Sequence, residues 1–400
     1  MNHESHTTPA FVNPGNVKLP SWYYPLAGGL ALAGFGVFGW GLTADPHRAW
    51  GGYLIGFFAV LCIALAGPFF IATQYLTGAG WSVSIRRVPE AMSAYLIPAA
   101  LLAGGIFAGA HNLYHWTHAE AIKDDLVLHH KAPYLNLTRM GMSVAIAFVV
   151  WISLSLLITG NSRKQDTSGD AKLTHRNATL SAVFMLLFAL TFSTSSFDFV
   201  MSLEPHWAST MFAVYMFAML MQAGFAFMAM ATALLRKTGR LDGFVSDAHV
   251  HDLGKYTFAF TAFWAYIAFC QFLLIWYANL PEETVFFLKR FSHGWGYVAV
   301  AVPVLKFLVP FFALLPWKAK HSPVVLVPVG IWILLVTAIE FWWLVTPAIS
   351  THGPQLPWME LVIFGGFFGV FLAAFGFALS RHSIVPIKDP RLGEAVHHHL

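Results

Sequence analysis

The chain has 400 residues, of which 57% are hydrophobic, 16% aromatic and only 10% charged. A soluble domain carries about 25% charged residues, so this chain cannot cover its surface with polar groups and its solvent is lipid. The net charge of +4 belongs to the loops, and no basic patch with interleaved aromatic residues accompanies it, which excludes a nucleic-acid partner.

A membrane-spanning helix takes about 20 apolar residues. By that measure the sequence predicts an all-α integral membrane protein with ten spans: 22–42, 49–73, 91–111, 139–160, 177–198, 209–235, 255–279, 295–315, 323–346 and 358–380. A polar segment, 1–21, precedes the spans and a polar tail, 381–400, follows them. The first run is too long for a signal-peptide core of about 7–15 residues and lacks a small-x-small exit, so it is expected to stay as a helix. The runs are apolar all round, as for helices bundled in lipid. Short alternating segments of a membrane barrel are absent.

Ten spans place both termini on one side. Of the 23 Lys and Arg residues, 16 fall on that side, 6 on the other, and Lys306 lies within a span. Cytoplasmic loops carry the excess of positive charge, so both termini are expected in the cytoplasm of a multi-pass protein of the bacterial inner membrane. The loop 74–90 is Gly-rich and semi-apolar and reads as lying along the cytoplasmic interface. The loop 161–175 reads as a flexible connector. The loops 112–138 and 280–294 and the turn after span five face the exterior.

Cys62 and Cys270 sit in apolar runs and are too few for a thiolate metal or iron–sulfur site. They read as packing residues. None of the 19 histidines lies mid-span, and no Cys-x-x-Cys-His is present. Neither a haem held between facing helices nor a covalent haem is therefore expected on this chain. No metal site is predicted, and His397 to His399 read as tail.

The candidate chemistry lies elsewhere. Thr191-Phe-Ser-Thr-Ser-Ser-Phe-Asp198 ends span five with hydroxyls and a carboxylate, and no Lys or Arg is close in sequence. Such hydroxyls usually face a partner helix or a wet cavity. Asp198 reads either as a proton-handling group there or as a helix-end carboxylate facing water. Glu204 and His206 flank Pro205 in an external turn and read as proton-path candidates or as solvated groups. His111 and His115, four apart at the end of span three, are expected roughly level with Asp198. They read as proton acceptors or quinol partners, or as incidental members of an interfacial belt with Tyr114 and Trp116. Lys306 and Glu340 lie inside consecutive antiparallel spans, and a charge there costs on the order of 3 kcal/mol or more. Their depths differ by roughly 7 Å at 1.5 Å per residue, so a pair is expected. It serves either packing or a proton relay that includes Tyr266 and Gln271. Asp247, His249, His251, Asp252 and Lys255 crowd the start of span seven as a proton mouth or a solvated loop.

Four strings read together. They are Trp81-Ser-Val-Ser-Ile-Arg-Arg-Val-Pro-Glu90; His111-Asn-Leu-Tyr-His-Trp-Thr-His118 with Lys131-Ala-Pro-Tyr-Leu-Asn136; Ser196-Phe-Asp-Phe-Val-Met-Ser-Leu-Glu-Pro-His-Trp207; and Asp252-Leu-Gly-Lys255 followed by the run from Phe263 to Glu283. In this order, over about residues 22–380, they closely resemble the second NrfD-like membrane subunit of bacterial alternative complex III. This is the ActF type of the polysulfide-reductase-like integral membrane family. The resemblance implies two four-helix bundles, spans 2–5 and 6–9, with flanking helices. It implies a cofactor-free subunit of a respiratory quinol:cytochrome c (or similar periplasmic carrier) oxidoreductase. Haem c and iron–sulfur clusters would then sit on partner subunits: c-type cytochromes, an iron–sulfur subunit and a paralogous NrfD-like membrane subunit. A terminal oxidase is a further candidate partner. The quinone, menaquinone or ubiquinone, would bind in the paralogue or in this chain. Mapped onto this sequence, the proton-path candidates are Asp198, Glu204, His206, Lys306, Glu340, Tyr266 and Lys255, and the quinol-binding candidates are His111, His115 and Asp198. The alternatives are a purely structural membrane anchor and, more remotely, a stand-alone transporter.

Overall fold

The computed structural model describes residues 12–118, 120, 123, 125–350 and 352–399. The start of the N-terminal segment and part of the 112–138 loop lie outside them. Ten helices are long and apolar enough to cross a membrane: α1 Tyr23–Ala44, α2 Pro46–Thr77, α3 Arg87–Ala108, α4 Leu137–Ser168, α5 Lys172–Leu203, α6 Met211–Arg236, α7 Asp247–Ala278, α8 Trp295–Leu314, α9 Pro323–Ile349 and α10 Trp358–Arg381. No strand forms among the described residues, where one isolated bridge, Asn16 to Ser383, ties the two terminal segments together.

The helices outrun the apolar stretches that announce them. The expected connector 161–175 is helical almost throughout, with a tight turn at Gly169 (φ 67°). Part of its polar face, Ser162, Gln165 and Thr174, is buried against a neighbour. Gln165 donates to the Thr174 hydroxyl at 2.8 Å, and Asn161 donates to the Asn177 carbonyl at 2.8 Å. Much of the loop 74–90 is buried within the protein. Trp81–Ile85 is a 3₁₀ turn, and Ser82 to Glu90 are buried, Arg86 and Arg87 included. The tail is likewise built in. Asp389 accepts from Arg86 at 2.5 Å, Leu392 and Ala395 are buried, and His398 bonds to Asp252 at 2.7 Å.

Two helices form the interior. α2 and α6 are almost wholly buried. α2 packs on α1, α3, α5, α6, α9 and α10, and α6 packs on α2, α5, α7 and α9. Around them, α3 packs on α4, α4 on α5, α7 on α8, and α8 on α9. Water does not drive helices together in lipid, so small residues that let backbones approach are valuable. A Cβ at Gly224 would lie 2.0 Å from the Ala66 Cβ, and one at Gly34 would lie 2.3 Å from the Gly366 Cα.

Gly224→Val therefore wedges α2 from α6 and is expected to cost about 1–3 kcal/mol of overpacking. Thermal unfolding of the detergent-solubilised chain measures this. Gly104→Ala, at a position where a Cβ meets nothing within 4 Å, is the neutral control.

Candidate functional site: the buried carboxylates

Among the described residues six carboxylates are buried: Glu90, Asp198, Glu204, Glu340, Glu360 and Asp389. Burying a carboxylate without a counter-charge is prohibitive, so their partners define them. Five are held by arginine: Glu90 by Arg87, Asp198 by Arg139, Glu204 by Arg290, Glu360 by Arg48 and Asp389 by Arg86. Among the six, Glu340 alone has no arginine partner: it is held by Lys306, and both side chains are fully buried. The distinction matters chemically. A guanidinium stays charged at any ordinary pH, whereas a buried ammonium gives up its proton readily.

Asp198 is a fully engaged carboxylate. Arg139 donates to both of its oxygens at 2.7 and 3.0 Å, Ser143 donates at 2.6 Å and Tyr134 at 3.1 Å. The Arg139 guanidinium also lies 3.7 Å from the centre of the Tyr134 ring. Asp198 thus neither faces water nor lacks a cation; its arginine comes from the start of α4, 59 residues away. The hydroxyls before it do not line a wet cavity. Thr191, Ser193, Thr194 and Ser196 bond back to carbonyls four residues earlier, which satisfies them within the helix.

His111 and His115 are exposed, and neither is among the partners of Asp198. His111 Nδ1 pairs with the Thr117 hydroxyl at 3.0 Å. The segment reaches α5 through Tyr114 and Trp116. These are buried, not belt residues, and donate to the carbonyls of Phe199 and Ser202. Glu204 is no solvated turn residue. It is buried and accepts from Lys289 at 2.7 Å and Arg290 at 2.9 Å. Burial pulls the Arg290 guanidinium below its usual range, with the Glu204 carboxylate acting against the shift. His206 is exposed and pairs with Asp125. Lys255 is exposed and pairs with Asp252 at 2.5 Å.

Around Glu340 the geometry is tighter than the sequence suggests. Tyr215 of α6 donates to Oε1, Trp264 of α7 donates to the same oxygen at 2.9 Å, and Lys306 takes Oε2. Tyr266, the expected tyrosine, points away and is exposed. Helical spacing explains the exchange. Thr257, Thr261, Trp264, Ile267 and Gln271 form the buried face of α7, and position 266 falls outside it. Toward the end that carries the termini, Gln222 donates to the Lys306 carbonyl at 3.0 Å and the Thr261 hydroxyl at 3.1 Å. Thr261 and Thr257 continue the polar face toward Asp252 and His398. Toward the opposite end, Arg290 donates to the carbonyl of Leu344, one turn beyond Glu340, and to Glu204.

A cavity of about 550 Å³ adjoins this group. Tyr215, Trp264, Gln271 and Trp343 line it among apolar and aromatic residues of α7, α8 and the short helix Pro281–Phe291. Asp198, His111 and His115 are not among the residues that line it. No group of three or more His, Cys, Asp and Glu positioned to hold a metal occurs among the described residues.

No family model matches the chain, and no curated protein is similar enough to count as a relative.

Glu340→Ala leaves Lys306 buried without a counter-charge and is expected to destabilise the chain by about 3–5 kcal/mol. Lys306→Met combined with Glu340→Leu should recover most of that loss. Asp247→Asn, which opens the exposed pair with Arg236, should cost less than about 1 kcal/mol. Denaturation of the three variants in one detergent checks the order.

Proposed function

We propose that the chain is the cofactor-free, proton-conducting membrane subunit of a quinol:cytochrome c oxidoreductase of the alternative complex III type. The observation that carries the reading is the buried Glu340, set between a lysine, a tyrosine and a tryptophan inside α6–α9. The four sequence strings above supply the family. The packing order supports two four-helix bundles: α2, α3, α4 and α5 meet in a ring, as do α6, α7, α8 and α9. The loop-charge bias supports cytoplasmic termini in a bacterial inner membrane. Haem c and iron–sulfur centres then belong to partner subunits.

The proton chemistry follows from the charges. Lys306 and Glu340 together are neutral. Adding a proton to Glu340 leaves the lysine charge uncompensated in a low-dielectric interior, which is unfavourable. The low-cost step is an exchange, in which a proton arriving on Glu340 is matched by one leaving Lys306. The Gln222–Thr261–Thr257 face leads from the pair toward Asp252, Lys255 and His398. The Arg290–Glu204–Lys289 group leads toward the opposite surface.

Quinol, when bound, supplies protons together with electrons. In this chain the apolar cavity fits its ring and tail, with Gln271 and Trp343 as polar wall groups. Trp343 Nε1 is buried and has no hydrogen-bond partner among the described residues. These wall groups support a quinol nearer Glu340 than Asp198. The structural-anchor reading is favoured at one place, Asp198, whose oxygens are all occupied.

In the assembled complex, Glu340→Gln is expected to preserve assembly and lower proton release per quinol oxidised at least about tenfold. Asp198→Asn should lower stability more than proton release. Unchanged proton stoichiometry in Glu340→Gln, measured in proteoliposomes with cytochrome c as acceptor, overturns the reading. So does a purified chain that moves solute without redox partners.

A further inference from the structure

Lys306 sits in a helix that is broken around it. α8 runs as an α-helix over Trp295–Pro303, as a wide π turn over Val304–Leu308, and as an α-helix again over Val309–Leu314. Pro310 has no N–H to return to the preceding turn. The carbonyls of Leu305 and Lys306 are taken instead by side chains of other spans. Trp332 of α9 donates to Leu305 at 2.8 Å, and Gln222 of α6 donates to Lys306 at 3.0 Å. Single π turns inside α-helices concentrate at functional sites.

The arm beyond the break has room to move. One face of Trp295–Pro303 lines the 550 Å³ cavity beside Glu340, and the other lines a more open groove of about 660 Å³. Val300 and Val304 line both. The arm begins at two successive residues in left-handed backbone, His293 (φ 51°) and Gly294 (φ 88°). His293 is a non-glycine residue held in a sparsely populated region, as expected at a switching joint.

We propose that Val304–Leu308 is a hinge that couples the position of the arm to the Lys306–Glu340 pair, with Gln222 and Trp332 as the positioning residues that hold it in the paired state. The pair and the cavity are then two readings of one element. When Glu340 is neutral, Lys306 loses its anchor, the turn loosens, and the arm shifts between the two grooves. This inference rests on the reading of Glu340 as a proton site, but the hinge itself is observable without turnover.

The experiment is amide hydrogen exchange of the full chain in nanodiscs, read over residues 300–309. Glu340→Gln keeps the shape and removes the charge. It is expected to speed exchange there about tenfold, with α2 and α6 unchanged. Trp332→Phe removes one donor and should speed exchange in the same segment. Pro310→Ala restores an N–H and should slow it, while lowering proton release in the complex at least about fivefold. Equal exchange in the wild type and Glu340→Gln overturns the hinge, as does Pro310→Ala with wild-type exchange over residues 300–309. If the wild-type complex releases no protons through this subunit but the exchange responses hold, the functional reading fails and the hinge stands.

Discussion

The ion pair of Lys306 and Glu340 is the constraint that the rest of α6–α9 answers to. Moving either charge alone out of water costs several kcal/mol even after relaxation, and inside lipid no water is close enough to relieve it. The fold meets that cost with four contributors from four spans: the acid from α9, the base from α8, a phenol from α6 and an indole from α7. Each must arrive at one depth. That requirement fixes the register of the helices and explains why α8 accepts a π turn and two prolines where a regular helix would bond better.

The other buried acids follow a different rule. Each is clamped by arginine, and each lies near an end of the spans: Asp198, Glu204 and Glu360 at one end, Glu90 and Asp389 at the other. An arginine clamp on a carboxylate is a permanent charge pair with fixed geometry. Most of these clamps fasten one helix end to another helix, a loop or the tail. The lysine pair in the interior has the same charges but a cation able to lose its proton. A single residue type thus separates the joints of this molecule from the group suited to transfer.

Some of the site was legible in the sequence for a clear physical reason. Lys306 and Glu340 interrupt long apolar runs, and a charge in such a run demands a partner of opposite sign at similar depth. Asp198 and Glu204 drew attention for the same reason, but their surroundings were misread. Both seemed to lack cations because sequence proximity is a poor guide: Arg139 is 59 residues from Asp198, and Arg290 is 86 from Glu204. Tyr215 gave no signal, since one tyrosine in an aromatic-rich span looks like packing. Tyr266 drew notice for its hydroxyl, but it lies off the buried face of α7 that carries Trp264, an indole not singled out from the sequence.

What the sequence determined alone is the solvent and the number of crossings. Backbone groups in lipid must bond within their own helix, so each apolar run of sufficient length commits itself locally, and its residues are enough to read it. Helix ends escaped that logic. Gln165, Thr174 and Asn177 are polar by composition yet helical and buried, because they and the half-buried Asn161 satisfy one another across α4 and α5. The tertiary structure decided which acids meet an arginine and which meets only a lysine. Except for Glu90, whose Arg87 is three residues away, the cations come from 34 to 312 residues away, and such distances close only when the helices pack.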